Sequence, residues 1–157
     1  MNDRYLCRAK RKNWRELPKD KWWVEGNLVW PDDAVDDYKA IIIPTTDSNM
    51  FTRGGDRGDL GFENWCRVDP STICQCIGLK DKHGKLIWEN DIVRYYDDLA
   101  DMGKIDRIEW NETYASFVRA HKSQMGLQYL YIDEFIASRC EVIGSAIDNP
   151  ELLEVGE

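Results

Sequence analysis

The sequence predicts a mainly β fold, a small closed core of antiparallel strands with one helix packed against it. Runs rich in β-branched and aromatic residues alternate with turn-forming residues, which is typical of β proteins. Ile105 and Ile108 would lie on opposite faces of one strand, which indicates a bulge or burial on both faces, as in a small barrel. The length of 157 residues is typical of a single domain.

The N-terminal third contains one hairpin signal and one loop signal. Gly26-Asn27 separates two apolar runs, so we predict strands at 22–25 and 28–30 joined by a two-residue turn. Residues 32–37 are an acidic connector. Residues 44–64 contain four glycines and predict a long surface loop that fits neither a phosphate-binding loop nor an EF-hand. Its glycines and aspartates are Gly54, Gly55, Gly58, Gly61, Asp47, Asp56 and Asp59.

The C-terminal half predicts strands, one helix and a short helical turn. Strands are expected at 86–88, 91–96, 103–110, 115–119 and 140–147, with a turn at 111–113. Leu127, Leu130 and Tyr131 are spaced by three and four residues, so 127–136 is the best helix candidate. Asn149 and Pro150 should cap and begin a short C-terminal helix.

Composition excludes several classes of protein. The seven Trp, seven Tyr and four Phe argue against disorder. No apolar run approaches the roughly 18 residues of a membrane span, and residues 1–4 lack the apolar core of an export signal. We therefore expect a cytoplasmic protein that has no membrane partner.

Charge is unevenly distributed, although the chain carries a net charge of -8. Residues 1–30 hold eight basic and four acidic side chains, and the remainder carries -12. The basic strip interleaved with tryptophans could contact phosphates of a nucleic acid, and its leading candidates are Lys10, Arg11, Lys12 and Arg15. The alternative is a solvated face with its tryptophans turned into the core, and the acidic remainder would repel a polyanion.

No catalytic or metal-binding constellation emerges. The number of cysteines, five, is odd, which predicts reduced thiols. Cys74 and Cys76 share one face of a strand, but a zinc site would need a second pair of ligands, which the sequence does not supply. His83 and His121 have no nucleophile beside them in the sequence. Acids at 97, 98 and 101 more simply form a solvated loop than a magnesium site. We expect a protein without cofactor, metal or enzymatic activity.

Residues 68–93 closely resemble the central motif of the YopX family of phage and prophage proteins. Residues 141–153 resemble the other family signature, while 8–10, 23–26 and 103–105 with Trp110 and Phe117 resemble its remaining parts. Cys76 and Asn90 depart from the Tyr and Gly that are common there. The resemblance implies one domain over 1–157, with 31–64 a variable acidic and Gly-rich insert. It also implies a β pseudobarrel with a packed helix and a mobile-element origin in a bacterial host.

The resemblance implies no known activity, so the function of the protein is a matter of hypothesis. The turns at 81–84 and 89–91 serve as folding devices, or Trp88 forms a binding groove with Asp91 and Lys85. We expect a non-enzymatic phage accessory protein that binds a host or phage protein. Its many tryptophans suggest self-association through a surface that includes Trp22, Trp23 and Trp88. The alternatives are nucleic-acid binding through the basic strip, and an acidic decoy that blocks a host nucleic-acid-binding protein.

Overall fold

The computed structural model describes residues 3–30, 39–45, 50–53, 59–62, 64–97 and 103–154, with only the backbone described at 50–53 and 59–62. The chain divides into two compact units. The N-terminal unit comprises Tyr5–Gln75, and the C-terminal unit comprises Cys76–Glu157 with Met1–Arg4. Strands dominate both units, so the predicted mainly β class is confirmed. Among the described residues, no helix is both long enough and apolar enough to cross a membrane.

The N-terminal unit is an antiparallel sheet in the order β6-β3-β2-β1-β7. Its strands are β1 (Cys7–Lys10), β2 (Trp23–Val29), β3 (Ile41–Pro44), β6 (Cys66–Arg67) and the first residues of β7 (Cys74–Lys80). A separate hairpin pairs β4 (Met50–Arg53) with β5 (Asp59–Phe62). Short 3-10 turns occupy Trp14–Glu16, Lys19–Lys21 and Pro70–Thr72. The buried core of the described part of this unit includes Ala9, Val24, Ala40, Ile42 and Val68.

The C-terminal unit holds the second sheet, in the order β12-β11-β10-β9-β13. Its strands are β9 (Asp91–Tyr95), β10 (Lys104–Asn111), β11 (Ser116–Ser123), β12 (Gly126–Leu130) and β13 (Cys140–Ser145). Strand β8 (Leu86–Trp88) pairs with β7, and one four-residue helix, α1 (Glu134–Ala137), precedes β13. Further 3-10 turns lie at Asp3–Tyr5 and Pro150–Leu153. Among the described residues, the buried core includes Ile87, Val93, Ile108, Ile132, Ala137 and Cys140.

Two aspartates organise the turns of the C-terminal unit. Asp81 is 5% exposed, and its carboxylate accepts hydrogen bonds from the backbone N–H groups of His83, Lys85 and Val142. Asp91 accepts the backbone N–H of Trp88 at 2.9 Å. Buried carboxylates of this kind satisfy donors that the turns would otherwise leave unpaired. These contacts support the interpretation of the two turns as folding devices.

Several structural expectations were wrong in detail. Gly26 is not in a turn: β2 continues through it, and a Cβ there would collide with the backbone of Ile43 on β3, so glycine permits close strand pairing. The predicted helix at 127–136 is wrong for most of its length, because 127–130 belong to β12 and only 134–136 are helical, as part of α1. Leu127 and Tyr131 are 57% and 71% exposed, so their spacing marks no buried stripe. The predicted short C-terminal helical turn corresponds to the 3-10 turn at Pro150–Leu153, but the side chain of Asn149 makes no capping hydrogen bond to it.

The predicted pseudobarrel is not confirmed, because neither sheet closes on itself within the described ranges. The predicted loop at 44–64 contains the β4–β5 hairpin, and β3 places Ile42 of the predicted variable insert fully inside the core. Some residues used in the loop, connector and acid-cluster predictions lie outside the described residues. They are Asp47, Gly54, Gly55, Asp56, Gly58, the acids at 32–37, Asp98 and Asp101.

Candidate functional site

Two neighbouring clefts in the N-terminal unit share Arg11 and Asn13. The first, of about 470 Å³, is here called the basic cleft, and it is lined by Arg11, Lys12, Asn13, Glu16, Trp65, Cys66 and Arg67. The second, of about 420 Å³, is lined by Arg11, Asn13, Leu17, Asp20, Lys21 and Trp23. Among the described lining residues, basic side chains outnumber acidic ones in both clefts, so the clefts favour an anionic ligand.

Backbone pairing assembles the basic cleft from segments that are far apart in the sequence. Arg11 and Val68 form an isolated antiparallel bridge beyond the end of β1. The backbone N–H of Lys12 donates to the carbonyl of Arg67 at 2.9 Å, and that of Trp14 donates to the carbonyl of Arg11 at 3.0 Å. The chain therefore holds residues 11–14 beside the strand β6, which carries Arg67.

The Arg11 guanidinium is held in place from two sides. Its Nε donates to the backbone carbonyl of Lys21 at 3.2 Å, and its Nη1 lies 2.6 Å from the sulfur of Cys66. Because a guanidinium has five N–H donors in a planar fork, these contacts leave donors for a ligand. Arg11 is thus a fixed cation between the two clefts.

Lys10 does not belong to this surface, although it was predicted to bind phosphates. It is only 2% exposed, and its Nζ lies 3.9 Å from the ring centroid of Trp14, 4.5 Å from that of Trp22 and 5.6 Å from that of Trp23. Burial among three indoles makes Lys10 a structural cation of the N-terminal unit. The nucleic-acid prediction is therefore wrong for this residue.

The other predicted residues are distributed between surface and interior. Arg11 and Lys12 line the basic cleft, whereas exposed Arg15 stacks over Trp14 at 4.4 Å outside it. Trp22 and Trp23 are half-buried against Lys10. Trp88 is 2% exposed in the core of the C-terminal unit, so it cannot form a partner surface in the folded chain.

Trp65 and Arg67 are cleft residues that sequence reasoning missed. Trp65 is 47% exposed, and Arg67 is exposed at the end of β6. The sequence feature that could have indicated this site is the pair Trp65 and Arg67, which flanks Cys66 directly before the family motif. It had no evident connection to residues 11–12, because only the pairing across the sheet brings the two segments together.

Arg11, Lys12 and Arg67 line the basic cleft together with the half-exposed indole of Trp65, and among its described lining residues Glu16 alone is acidic. Guanidinium groups bind phosphate oxygens through paired N–H donors. An exposed indole offers a flat surface on which an unpaired base can stack. The cleft therefore presents the two kinds of group, basic side chains and an aromatic ring, that suit the phosphate and the base of a nucleotide.

The C-terminal unit contains a buried charged cluster. Asp106 is fully buried, and its two oxygens lie 2.8 Å from Nη1 of Arg119 and 2.7 Å from Nδ1 of His121. Arg119 also donates from Nε to the carbonyl of Tyr131 at 3.2 Å and lies 4.4 Å from the Tyr95 ring. These contacts compensate the buried carboxylate and explain why charged residues occupy the core-facing side of β10 and β11.

Three of the cysteines are enclosed by the protein. Cys74, Cys76 and Cys140 are at most 1% exposed, and burial raises the pKa of the Cys140 thiol to about 11. Burial therefore favours the protonated thiol of Cys140 at neutral pH. Within the described ranges, no three His, Cys, Asp or Glu side chains come together as metal ligands would.

An exposed ion pair lies beside the Asp81 turn. Lys82 Nζ is 2.8 Å from Glu141, which also accepts the Tyr96 hydroxyl at 2.9 Å. The Lys82 ammonium and the Tyr96 hydroxyl lower the pKa of Glu141 to about 2. For Asp81, burial alone would raise the pKa, but the N–H donors of Val142, Lys85 and His83 lower it overall. Both carboxylates are therefore ionised at neutral pH and stabilise the turn.

Comparison with known proteins agrees with this fold. The model of a family described as YopX protein matches residues 15–154 of the chain. The crystal structure of protein EF1440 from Enterococcus faecalis is similar over 95% of this chain and 96% of that one, with a TM-score of 0.51 and 21% identical residues. This likeness shows a shared fold. No curated protein matches the chain.

Proposed function

The chain belongs to the YopX family, and from that premise we propose that it is a non-enzymatic accessory protein of phage or prophage origin that acts by binding in the cytoplasm of a bacterial host. The surroundings of Cys140 and His121 support the non-enzymatic part of this proposal. Cys140 is buried and protonated, and His121 is engaged by the buried Asp106. Neither residue lines one of the two clefts described above.

The ligand that best suits the basic cleft is a single-stranded nucleic acid. The observation that carries this proposal is that Arg11, Lys12 and Arg67 line the same cleft as the half-exposed Trp65. Single strands present unpaired bases that stack on aromatic rings, and their phosphates follow basic grooves. A duplex hides its base faces, so we expect it to bind more weakly than a single strand.

The acidic remainder of the chain sets the expected character of this binding. With a net charge of -8, the protein as a whole repels polyanions, so attraction must come from local contacts in the cleft. Each phosphate contact on a single strand contributes about -0.7 to the slope of log K against log salt concentration. Three contacting cations therefore predict a slope of about -2.

The test is fluorescence anisotropy of a labelled oligothymidylate over a series of salt concentrations. The double variant Lys12→Gln/Arg67→Gln should reduce the magnitude of the slope by about 1.4, because two phosphate contacts are lost. Trp65→Ala should weaken binding by about tenfold while leaving the slope unchanged, because stacking releases no counterions. The matched control is Lys104→Gln/Lys122→Gln, which removes two exposed cations from the C-terminal unit.

The outcomes separate the competing functions. Absence of binding at low salt would refute the nucleic-acid proposal. Equal loss of affinity in the cleft variant and in the control would show that binding is non-specific attraction to cations. If the protein instead binds a basic host protein, and binding is released by salt, the acidic decoy hypothesis replaces the present one.

A further inference from the structure

Among the strands that the structure describes, β12 is an unprotected edge of the five-stranded sheet. Within the described ranges it pairs with β11 on one side, and no other strand pairs with it. Edge strands of soluble proteins usually carry charges, prolines or bulges that prevent pairing with another chain. The five residues Gly126–Leu130 contain none of these, and Leu127 and Tyr129 are 57% and 44% exposed.

The opposite edge of the same sheet is protected. Strand β13 has a register shift between Val142 and Gly144 and carries the charged Glu141. Its outward backbone groups are also occupied: the N–H of Val142 donates to Asp81, and the carbonyl of Cys140 accepts the N–H of Lys82 at 2.9 Å. One edge is therefore closed by the Asp81 turn, and the other remains available for a partner strand.

The geometry of the β11–β12 hairpin shows which backbone N–H and C=O groups of β12 are directed towards a partner strand. Ser123 pairs with Gly126 across a two-residue loop, so this closing pair exchanges its hydrogen bonds. Hydrogen bonding to β11 then recurs at Gln128 and Leu130, because bonded and non-bonded pairs alternate along an antiparallel ladder. The N–H and C=O groups of Leu127 and Tyr129 consequently point away from the sheet.

We infer that the partner of this edge is a second copy of the chain, paired antiparallel through β12 about a two-fold axis at Gln128. In that register Leu127 lies opposite Tyr129 of the second copy, so the outward groups of both residues bond directly. The side chains also match, since aliphatic and aromatic residues form favourable cross-strand pairs. Met125, which is 92% exposed, and Tyr131, which is 71% exposed, come opposite each other at both ends.

Self-pairing is favoured over another partner by the symmetry and neutrality of the strand. At the axis two Gln128 side chains face each other, and a primary amide both donates and accepts hydrogen bonds. No charge within Gly126–Leu130 opposes its own copy, although the whole chain carries -8. A five-residue edge buries little area, so the dimer should be weak and should become stronger as salt screens the net charge.

The experiment is sedimentation velocity from low micromolar to several hundred micromolar, with folding checked by circular dichroism. The wild type should form a dimer, and Gln128→Lys should weaken it by about tenfold or more because two cations face each other at the axis. The matched control Gln124→Lys places the same charge in the neighbouring hairpin loop and should dimerise as the wild type does. An equimolar mixture of Gln128→Lys and Gln128→Glu should restore association, because opposite charges then meet.

Four results would overturn this inference. They are a strict monomer at the highest concentration, a dimer insensitive to Gln128→Lys, equal weakening by Gln124→Lys, and growth beyond a dimer, which a closed two-fold interface excludes. Nucleic-acid binding is a separate property with the opposite salt dependence. If no dimer forms, the proposed nucleic-acid binding is unaffected, and if no nucleic acid binds, the proposed dimer is unaffected.

Discussion

Replacing the buried Asp106 with asparagine should destabilise the C-terminal unit by about 3 kcal/mol. Asparagine has nearly the same size, so the change removes charge without creating a cavity. The carboxylate is fully buried and accepts from Nη1 of Arg119 at 2.8 Å, with Nδ1 of His121 at 2.7 Å. After the substitution, the guanidinium remains in the interior without its counter-charge.

The magnitude follows from these contacts. A hydrogen bond to a charged group contributes about 1.5–3 kcal/mol, and removing one partner of a buried ion pair costs about 3–5 kcal/mol. Arg119 keeps its bond to the carbonyl of Tyr131 and its position 4.4 Å from the Tyr95 ring. Both contacts still favour the cation, so we expect a value at the lower end of that range.

Urea unfolding followed by circular dichroism measures this loss as a lower transition midpoint with an unchanged slope. The exposed Asp20→Asn serves as control and should change stability by no more than about 0.5 kcal/mol. The double variant Asp106→Leu/Arg119→Met removes both charges and should cost less than the sum of its single variants. A loss below about 1 kcal/mol for Asp106→Asn, or strict additivity in the double variant, would refute the reasoning.

Three further predictions concern individual residues. Because the pKa of Glu141 is lowered from 4.5 to about 2, its stabilising contribution should be complete above pH 4.5 and disappear as the pH falls towards 2. The urea midpoint of Glu141→Gln should accordingly fall less over that range than the wild-type midpoint. Asn90 has a φ of 65°, so Asn90→Gly should be more stable than Asn90→Ala by about 1 kcal/mol in urea unfolding, and equal stabilities would contradict this. Iodoacetamide should alkylate half-buried Cys66 in the native protein and leave buried Cys140 unmodified, as measured by mass spectrometry. Bound oligonucleotide should protect Cys66 from alkylation. Faster alkylation of Cys140 than of Cys66 would contradict the burial.

Sequence patterns predicted the central strands well because these strands are rich in β-branched and aromatic residues and are bounded by recognisable turn residues. The strands observed at Asp91–Tyr95 and Lys104–Asn111 were expected from their β-branched and aromatic residues. The pattern misled where tertiary pairing decides the conformation. Gly26 resembles a turn residue, yet it lies within a strand because β3 approaches too closely for a side chain.

The candidate site was only partly predictable for the same reason. Arg11 and Lys12 were identified from local charge, and the structure places both in the basic cleft. Lys10 carries the same charge but points into a cluster of tryptophans, and composition alone cannot distinguish these environments. Arg67 joins the cleft through a backbone hydrogen bond with Lys12, a long-range contact that no local pattern encodes.

The salt dependence of oligothymidylate binding tests the proposed role of the basic cleft most directly. The wild-type plot of log K against log salt concentration should have a slope of about -2, and Lys12→Gln/Arg67→Gln should bring it to about -0.7. The control Lys104→Gln/Lys122→Gln should keep the wild-type slope. An unchanged slope in the cleft variant, or an equal change in the control, would contradict binding at this site.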